Sequence, residues 1–169
     1  VADIEEVRHV GEGGLLGRAL HREFKENTYL YLDTTNEVDG EIMNSVSRYT
    51  LNGSSLEDQQ VILDGIKGSS VHDGGRIAFG PDGYLYVTTG DAGEGSLSQD
   101  RDSLNGKILR IADDGSIPQD NPYGTAVWSW GHRNPQGLAL DEDGRLWATE
   151  HGRSGIRSGF DELNLIEKG

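Results

Sequence analysis

The chain has 169 residues, 29 of them acidic and 15 basic, and a net charge of −14. No apolar run approaches the roughly 18 residues that a membrane helix needs, and the charged first ten residues hold no export-signal core. The absence of cysteine excludes a disulfide framework, a thiolate metal site and a cysteine nucleophile.

The charge also argues against nucleic acid as a partner, because no Lys/Arg stripe is present to read phosphates. Only four of the fifteen cations are lysine. An acidic, lysine-poor surface suits a halophilic setting, where salt screens self-repulsion.

In chain order, the first expected unit runs from Arg18-Ala19-Leu20 to Tyr31-Leu32-Asp33-Thr34 and reads as strand, acidic turn, strand. Val46 to Gly53 is a further strand that ends in an Asn-Gly turn. The strand–turn–strand pattern returns at Ile77–Thr88 around Asp82-Gly83, and again at Leu138–Thr149 around Asp143-Gly144. Asp-Gly between alternating apolar runs is a strong hairpin signal. Gly90 to Asn105 is expected to be a long loop. Ile108–Gly115 resembles Val46–Gly53, and Leu163–Gly169 begins a third copy.

The copies keep a nearly constant interval. Ala19 to Ala78 is 59 residues, Ala78 to Ala139 is 61, and Gly53 to Gly115 is 62. About four short strands per period, repeated radially, describe an all-β protein, a β-propeller. A β-helix would repeat at much shorter intervals, and a lone sandwich would not repeat its hairpin. The chain covers about three blades, whereas closure takes at least about four. Residues 1–169 are therefore expected to form one partial propeller domain, a fragment of a longer chain. A homo-oligomer of two three-blade chains is the other way to close the ring.

The repeat also predicts where chemistry gathers. Six residues before Ala78 stands His72, six before Ala139 stands Arg133, and six before Ala19 stands Gly13 beside Glu12. Equivalent loops of successive blades converge at one end of the channel, so these side chains should share a cavity. Histidine exchanges a proton near neutral pH, and arginine offers a fixed positive fork to an oxyanion. Asp91, at a strand exit, is placed to orient His72 as a carboxylate orients a catalytic imidazole. His9 and His21 read as surface or turn residues, His132 as packing, and Trp128, Trp130 and Trp147 as core. Gly11 to Gly17 lacks the spacing of a dinucleotide loop.

Several runs resemble the soluble quinoprotein glucose dehydrogenases and aldose sugar dehydrogenases, the glucose/sorbosone dehydrogenase family. They are Gly11-Glu12-Gly13-Gly14-Leu15-Leu16-Gly17, His72 to Asp91, Gly131-His132-Arg133-Asn134-Pro135-Gln136-Gly137 and Glu150-His151-Gly152 with Asp161 to Ile166. The resemblance implies a six-bladed propeller that binds pyrroloquinoline quinone (PQQ) and Ca2+. It implies oxidation of a sugar's anomeric carbon to a lactone, with an external electron acceptor. It makes His72 the general base, Asp91 its orienting carboxylate and Arg133 the cation facing the quinone. Glu12, Ser96, Leu97 and Asn134 become cofactor contacts, and the carbonyls of Gly152 and Arg153 calcium ligands.

Departures are Glu12 and Ser96 for glutamines, Arg153 for a proline, and a longer loop from Arg153 to Phe160. The family's later blades, which add basic and aromatic cofactor contacts, lie outside these residues, so the fragment alone is expected to bind the quinone poorly. Relatives are commonly periplasmic or extracellular. Two other readings remain open at this point: a calcium-dependent propeller hydrolase such as a sugar lactonase, and a non-catalytic propeller that binds sugar or protein.

Overall fold

The structure is a computed structural model that describes residues 3–154 and 159–169. Among the described residues, eleven strands form three antiparallel sheets. The first holds β1 (Leu15–Leu20), β2 (Tyr29–Val38), β3 (Glu41–Asn52) and β4 (Ser55–Lys67). The second holds β5 (Gly74–Phe79), β6 (Leu85–Thr89), β7 (Lys107–Ile111) and β8 (Val127–Trp130), and the third β9 (Pro135–Leu140), β10 (Leu146–Glu150) and β11 (Glu162–Ile166). Within each sheet the spatial order follows the chain order. Each sheet is a meander, and its chain then steps to the next.

The repeated segments occupy equivalent strands. Ile77 to Thr88 supplies β5 and β6, Leu138 to Thr149 supplies β9 and β10, and the second repeated motif supplies β3, β7 and β11. The first strands of successive sheets are neighbours: β1 packs beside β5, and β5 beside β9. Three meanders whose first strands line up side by side are the wedges of a partial propeller. Gly17 marks how closely β1 meets β5, since a Cβ there would run into the carbonyl of Gly75.

The cores lie between sheets and follow the two-residue period of a strand. Leu85, Val87, Leu109 and Ile111 face the first sheet, where Tyr31, Val46 and Ile66 meet them. Tyr86 and Ile108 point the other way and pack with Leu146, Ala148 and Ile166 of the third sheet. Each buried Val, Leu or Ile among them contributes about 1.5–3 kcal/mol by leaving water. The end sheets keep apolar side chains exposed: Leu15 and Leu20 on β1, Leu163 and Leu165 on β11.

Four expectations need correction. The link in the first hairpin carries a short helix, α1 (Phe24–Asn27), rather than a tight acidic turn. His21 is buried: its ring stacks with Tyr31, meets Phe79 edge-on, and its Nδ1 accepts the N–H of Glu23. Trp130 is exposed, with its indole N–H donating to the Tyr123 hydroxyl at 3.1 Å. The segment from Gly90 to Asn105 contains a helical turn, α2 (Gly95–Gln99). The loop from Arg153 to Phe160 falls partly on residues 155–158, outside the described residues.

Candidate active site

The loops that enter β1, β5 and β9 lie at the same end of the stacked sheets, because these strands run side by side in equivalent positions. Each loop carries one of the expected residues: Glu12, His72 and Arg133. The exit of β6 lies at that end too, because Gly74 pairs with Thr89 in the register of β5 and β6. His72 and Asp91 are thus delivered to the two open ends of one hairpin.

His72 Nδ1 lies 2.7 Å from Asp91 Oδ1. The imidazole is 18% exposed and the carboxylate 8%. With Nδ1 bonded to a carboxylate, the proton belongs on Nδ1 and Nε2 is presented as an acceptor. No hydrogen bond occupies Nε2 among the described residues. Asp91 is itself held, since its Oδ1 accepts the Gly93 N–H at 2.9 Å and its own N–H donates to the Arg133 carbonyl at 2.8 Å.

The His72 backbone is left-handed, with φ of 60°. That conformation is uncommon outside glycine. It is fixed by the neighbouring sheet: Glu12 Oε2 accepts the His72 N–H at 2.8 Å, and the Glu12 N–H donates to the Ser70 carbonyl at 3.0 Å. Gly90 crosses directly beneath, where a Cβ would collide with the His72 carbonyl.

A buried polar chain runs under the same loop. The Gly14 N–H donates to Thr35 Oγ1, Thr35 Oγ1 to Asn44 Oδ1, and Asn44 Nδ2 to Asp73 Oδ1. Asp73 Oδ1 also accepts the Ser69 N–H. Burial raises the Asp73 carboxyl against these bonds. Asp33, 2% exposed, is pushed well above the usual carboxylate range by burial and then by the charge of Asp73. Among the described residues, Asp33 Oδ1 and Asp73 Oδ2 have no partner.

Arg133 is half-buried, and its Nη1 donates to the His151 carbonyl at 3.0 Å. Asn134 is 2% exposed, and its Oδ1 accepts the Gly74 N–H at 3.1 Å, which joins the Arg133 loop to the start of β5. Ser96 is exposed and Leu97 half-buried on α2. The Gly152 N–H donates to Asp161 Oδ1 at 2.9 Å, and the Arg153 carbonyl accepts the Gly159 N–H at 2.7 Å. His72, Asp91, Glu12 and the Arg133 main chain are therefore joined by direct bonds. Gly152 and Arg153 form a separate turn, linked to Arg133 through His151.

Sequence reasoning passed over Glu150, which ends β10. One oxygen accepts the N–H groups of Arg133 and Asn134, and the other lies 3.0 Å from His132 Nδ1. Burial pushes this carboxyl up, but those bonds outweigh it and hold the group below its ordinary value. The available signal was positional, since Glu150 ends β10 much as Asp91 follows β6.

The loops at this end carry one cation, Arg133, that suits an anion. Loops at the same end of the sheets also bring an exposed Ser96 and a half-buried Leu97, and an imidazole whose Nε2 has no hydrogen bond among the described residues. Calcium fits less well. It takes about six to eight oxygen ligands, and two main-chain carbonyls, one already bonded to Gly159, supply a small part of that shell. No cluster of three or more His, Asp or Glu side chains suited to a metal exists among the described residues.

Comparison with known proteins agrees with the architecture. The Glucose / Sorbosone dehydrogenase family matches over residues 1–169. Quinoprotein glucose dehydrogenase B of Acinetobacter calcoaceticus is 38% identical over 190 residues, covering 94% of this chain and 39% of that protein. Aldose sugar dehydrogenase YliI of Escherichia coli is 35% identical, covering 94% of this chain and 45% of that protein. The PQQ-bound form of aldose sugar dehydrogenase from Streptomyces coelicolor superposes with a TM-score of 0.89 at 42% identity, covering 97% of this chain and 48% of that one. The chain thus spans less than half the length of each of these three. It belongs to the glucose/sorbosone dehydrogenase family.

Proposed function

We propose that the protein containing this chain is a PQQ-dependent dehydrogenase that oxidises the anomeric carbon of an aldose sugar to a lactone. The observation that carries the proposal is the His72–Asp91 pair, with its 2.7 Å bond and its open Nε2, on the same rim as Arg133. In this reading His72 Nε2 takes the proton of the anomeric hydroxyl as a hydride leaves the same carbon. Asp91 keeps the ring in the accepting tautomer and stabilises the imidazolium that forms. Arg133 supplies a fixed positive charge to an anionic partner. Ser96 and Leu97 would contact the bound cofactor, and Glu12 holds the base by accepting the His72 backbone N–H. When bound, the quinone supplies the two-electron acceptor for the hydride. Calcium belongs to the same proposal, in which the Gly152 and Arg153 carbonyls would supply two of the roughly six or more oxygens it needs. An external electron acceptor is the other partner that this reading calls for.

The test is dye-linked oxidation of glucose by the full-length protein loaded with PQQ and calcium. His72→Ala is expected to lower kcat by about 10²–10⁴, the usual share of a general base. Full activity in that variant would remove the base assignment. Lactone hydrolysis without quinone, and no spectral change on adding it, would make the protein a propeller lactonase instead.

A further inference from the structure

Lys107 is the first residue of β7, between Thr89 of β6 and Trp130 of β8 in the sheet register, and it is fully buried. Burying an ammonium is costly unless every donor is met. Its Nζ lies 2.9 Å from the Leu97 carbonyl, 3.3 Å from that of Ser98 and 2.6 Å from that of Asn105. An ammonium has three donors, and all three are used on main-chain oxygens. No carboxylate lies within ion-pair distance of it among the described residues. Burial pulls this lysine down to about 8, and the charge of Asp100, just past α2, is the one that pulls the other way. Thr89 and Trp130, opposite it on the flanking strands, carry no charge.

The three carbonyls belong to α2 and to the turn that returns the chain to β7. Other bonds tie this turn to both halves of the rim. The Ser98 carbonyl also accepts the Gly131 N–H at 3.0 Å, and the Gly106 N–H donates to the Gly90 carbonyl at 2.9 Å. Asn105 Nδ2 reaches the carbonyls of Gly90 and Lys67. The α2 turn is thus wedged between the exit toward Asp91 and the entry toward Arg133, with a single cation at its centre. A cation gathering carbonyls at a helix C-terminus favours that turn's geometry.

We infer that Lys107 is a positioning residue whose buried ammonium fixes the α2 turn and so sets where Ser96 and Leu97 meet the cofactor. The role given to Ser96 and Leu97 rests on the proposed function, but the fixing of the turn does not. Lys107→Met keeps the reach and the apolar stem and removes all three donors. Lys107→Gln, which retains two N–H donors, is the second variant.

Hydrogen exchange is measured on the cofactor-free, full-length protein. Amides 95–105 are expected to lose protection by about tenfold or more in Lys107→Met, with β6 and β10 unchanged and Lys107→Gln intermediate. PQQ titration is then expected to give a Kd raised at least about tenfold, with kcat at saturating cofactor within about twofold of the parent.

Loosening spread evenly over the three sheets, or absent from 95–105, would overturn the inference. So would a fall in kcat at unchanged Kd, or failure of both variants to fold. If the parent binds no PQQ, the proposed function fails alone, because the exchange result needs no cofactor.

Discussion

Two imidazole–carboxylate pairs stand one sheet apart, offset from one another by one or two residues in the repeat. His72 and Asp91 flank β5 and β6, while His132 and Glu150 flank the loop into β9 and the end of β10. Their Nδ1 contacts are similar, at 2.7 and 3.0 Å. They differ at the other nitrogen. His132 Nε2 lies 2.9 Å from Ser129 Oγ, and the ring is buried. His72 Nε2 is open. The chemical pair is the same, but one is spent on holding a loop and the other is left able to accept a proton. A carboxylate beside a histidine therefore says little about catalysis until the second ring nitrogen is followed.

The largest expected effect breaks the pairing on the open side. In the full-length protein, Asp91→Asn is expected to cut kcat by about 10²–10⁴, because a neutral amide accepts the same N–H groups but no longer stabilises the imidazolium that forms on His72. Thermal unfolding should change little. Equal losses in rate and stability would place His72 in the same structural role as His132.

On the closed side, Glu150→Ala is expected to cost about 3–5 kcal/mol in denaturant unfolding, since it strands the N–H groups of Arg133 and Asn134 as well as His132. Glu150→Gln should cost less than about 1 kcal/mol. Its oxygen keeps the backbone bonds, and His132 can exchange tautomers because the Ser129 hydroxyl accepts as readily as it donates. A costly Glu150→Gln would mean that the negative charge itself is required.

Buried carboxylates sharpen the same contrast through pH. The folded-state value of Glu150 is depressed, so its contribution is present above the unfolded value and lost as pH falls through the folded one. Asp33 has the opposite sign. Its raised folded value means its contribution is full below the unfolded value and is lost as pH rises through the folded one. Asp33→Asn, an uncharged isostere, is expected to raise Tm at neutral pH by a few degrees and to flatten that limb of the stability curve. An unchanged pH profile would mean that the unpartnered oxygens of Asp33 and Asp73 are met in another way.

The radial repeat was legible because each blade must rebuild the same hairpin, which leaves Asp-Gly turns and alternating apolar residues at a constant interval. The His72–Asp91 contact was legible because both residues flank one hairpin. Glu150 was not, since an acid that collects backbone N–H groups looks like any strand-end acid until the loop it caps is folded over it. His21 was misread for a related reason: Tyr31 and Phe79, which cover it, come from two different sheets. The α2 turn escaped notice because it is held by Lys107 and not by helix propensity in Gly95 to Gln99.

The left-handed turn at His72 has one further consequence. The group that holds it belongs to the preceding wedge, so the imidazole keeps its aim only while the first two sheets stay seated. A slip of an ångström between them would release the Glu12 tether and let the ring swing before any strand came apart. Loss of turnover on gentle warming should then come before loss of β structure, with the imidazole acting as a gauge of how firmly the sheets are clamped.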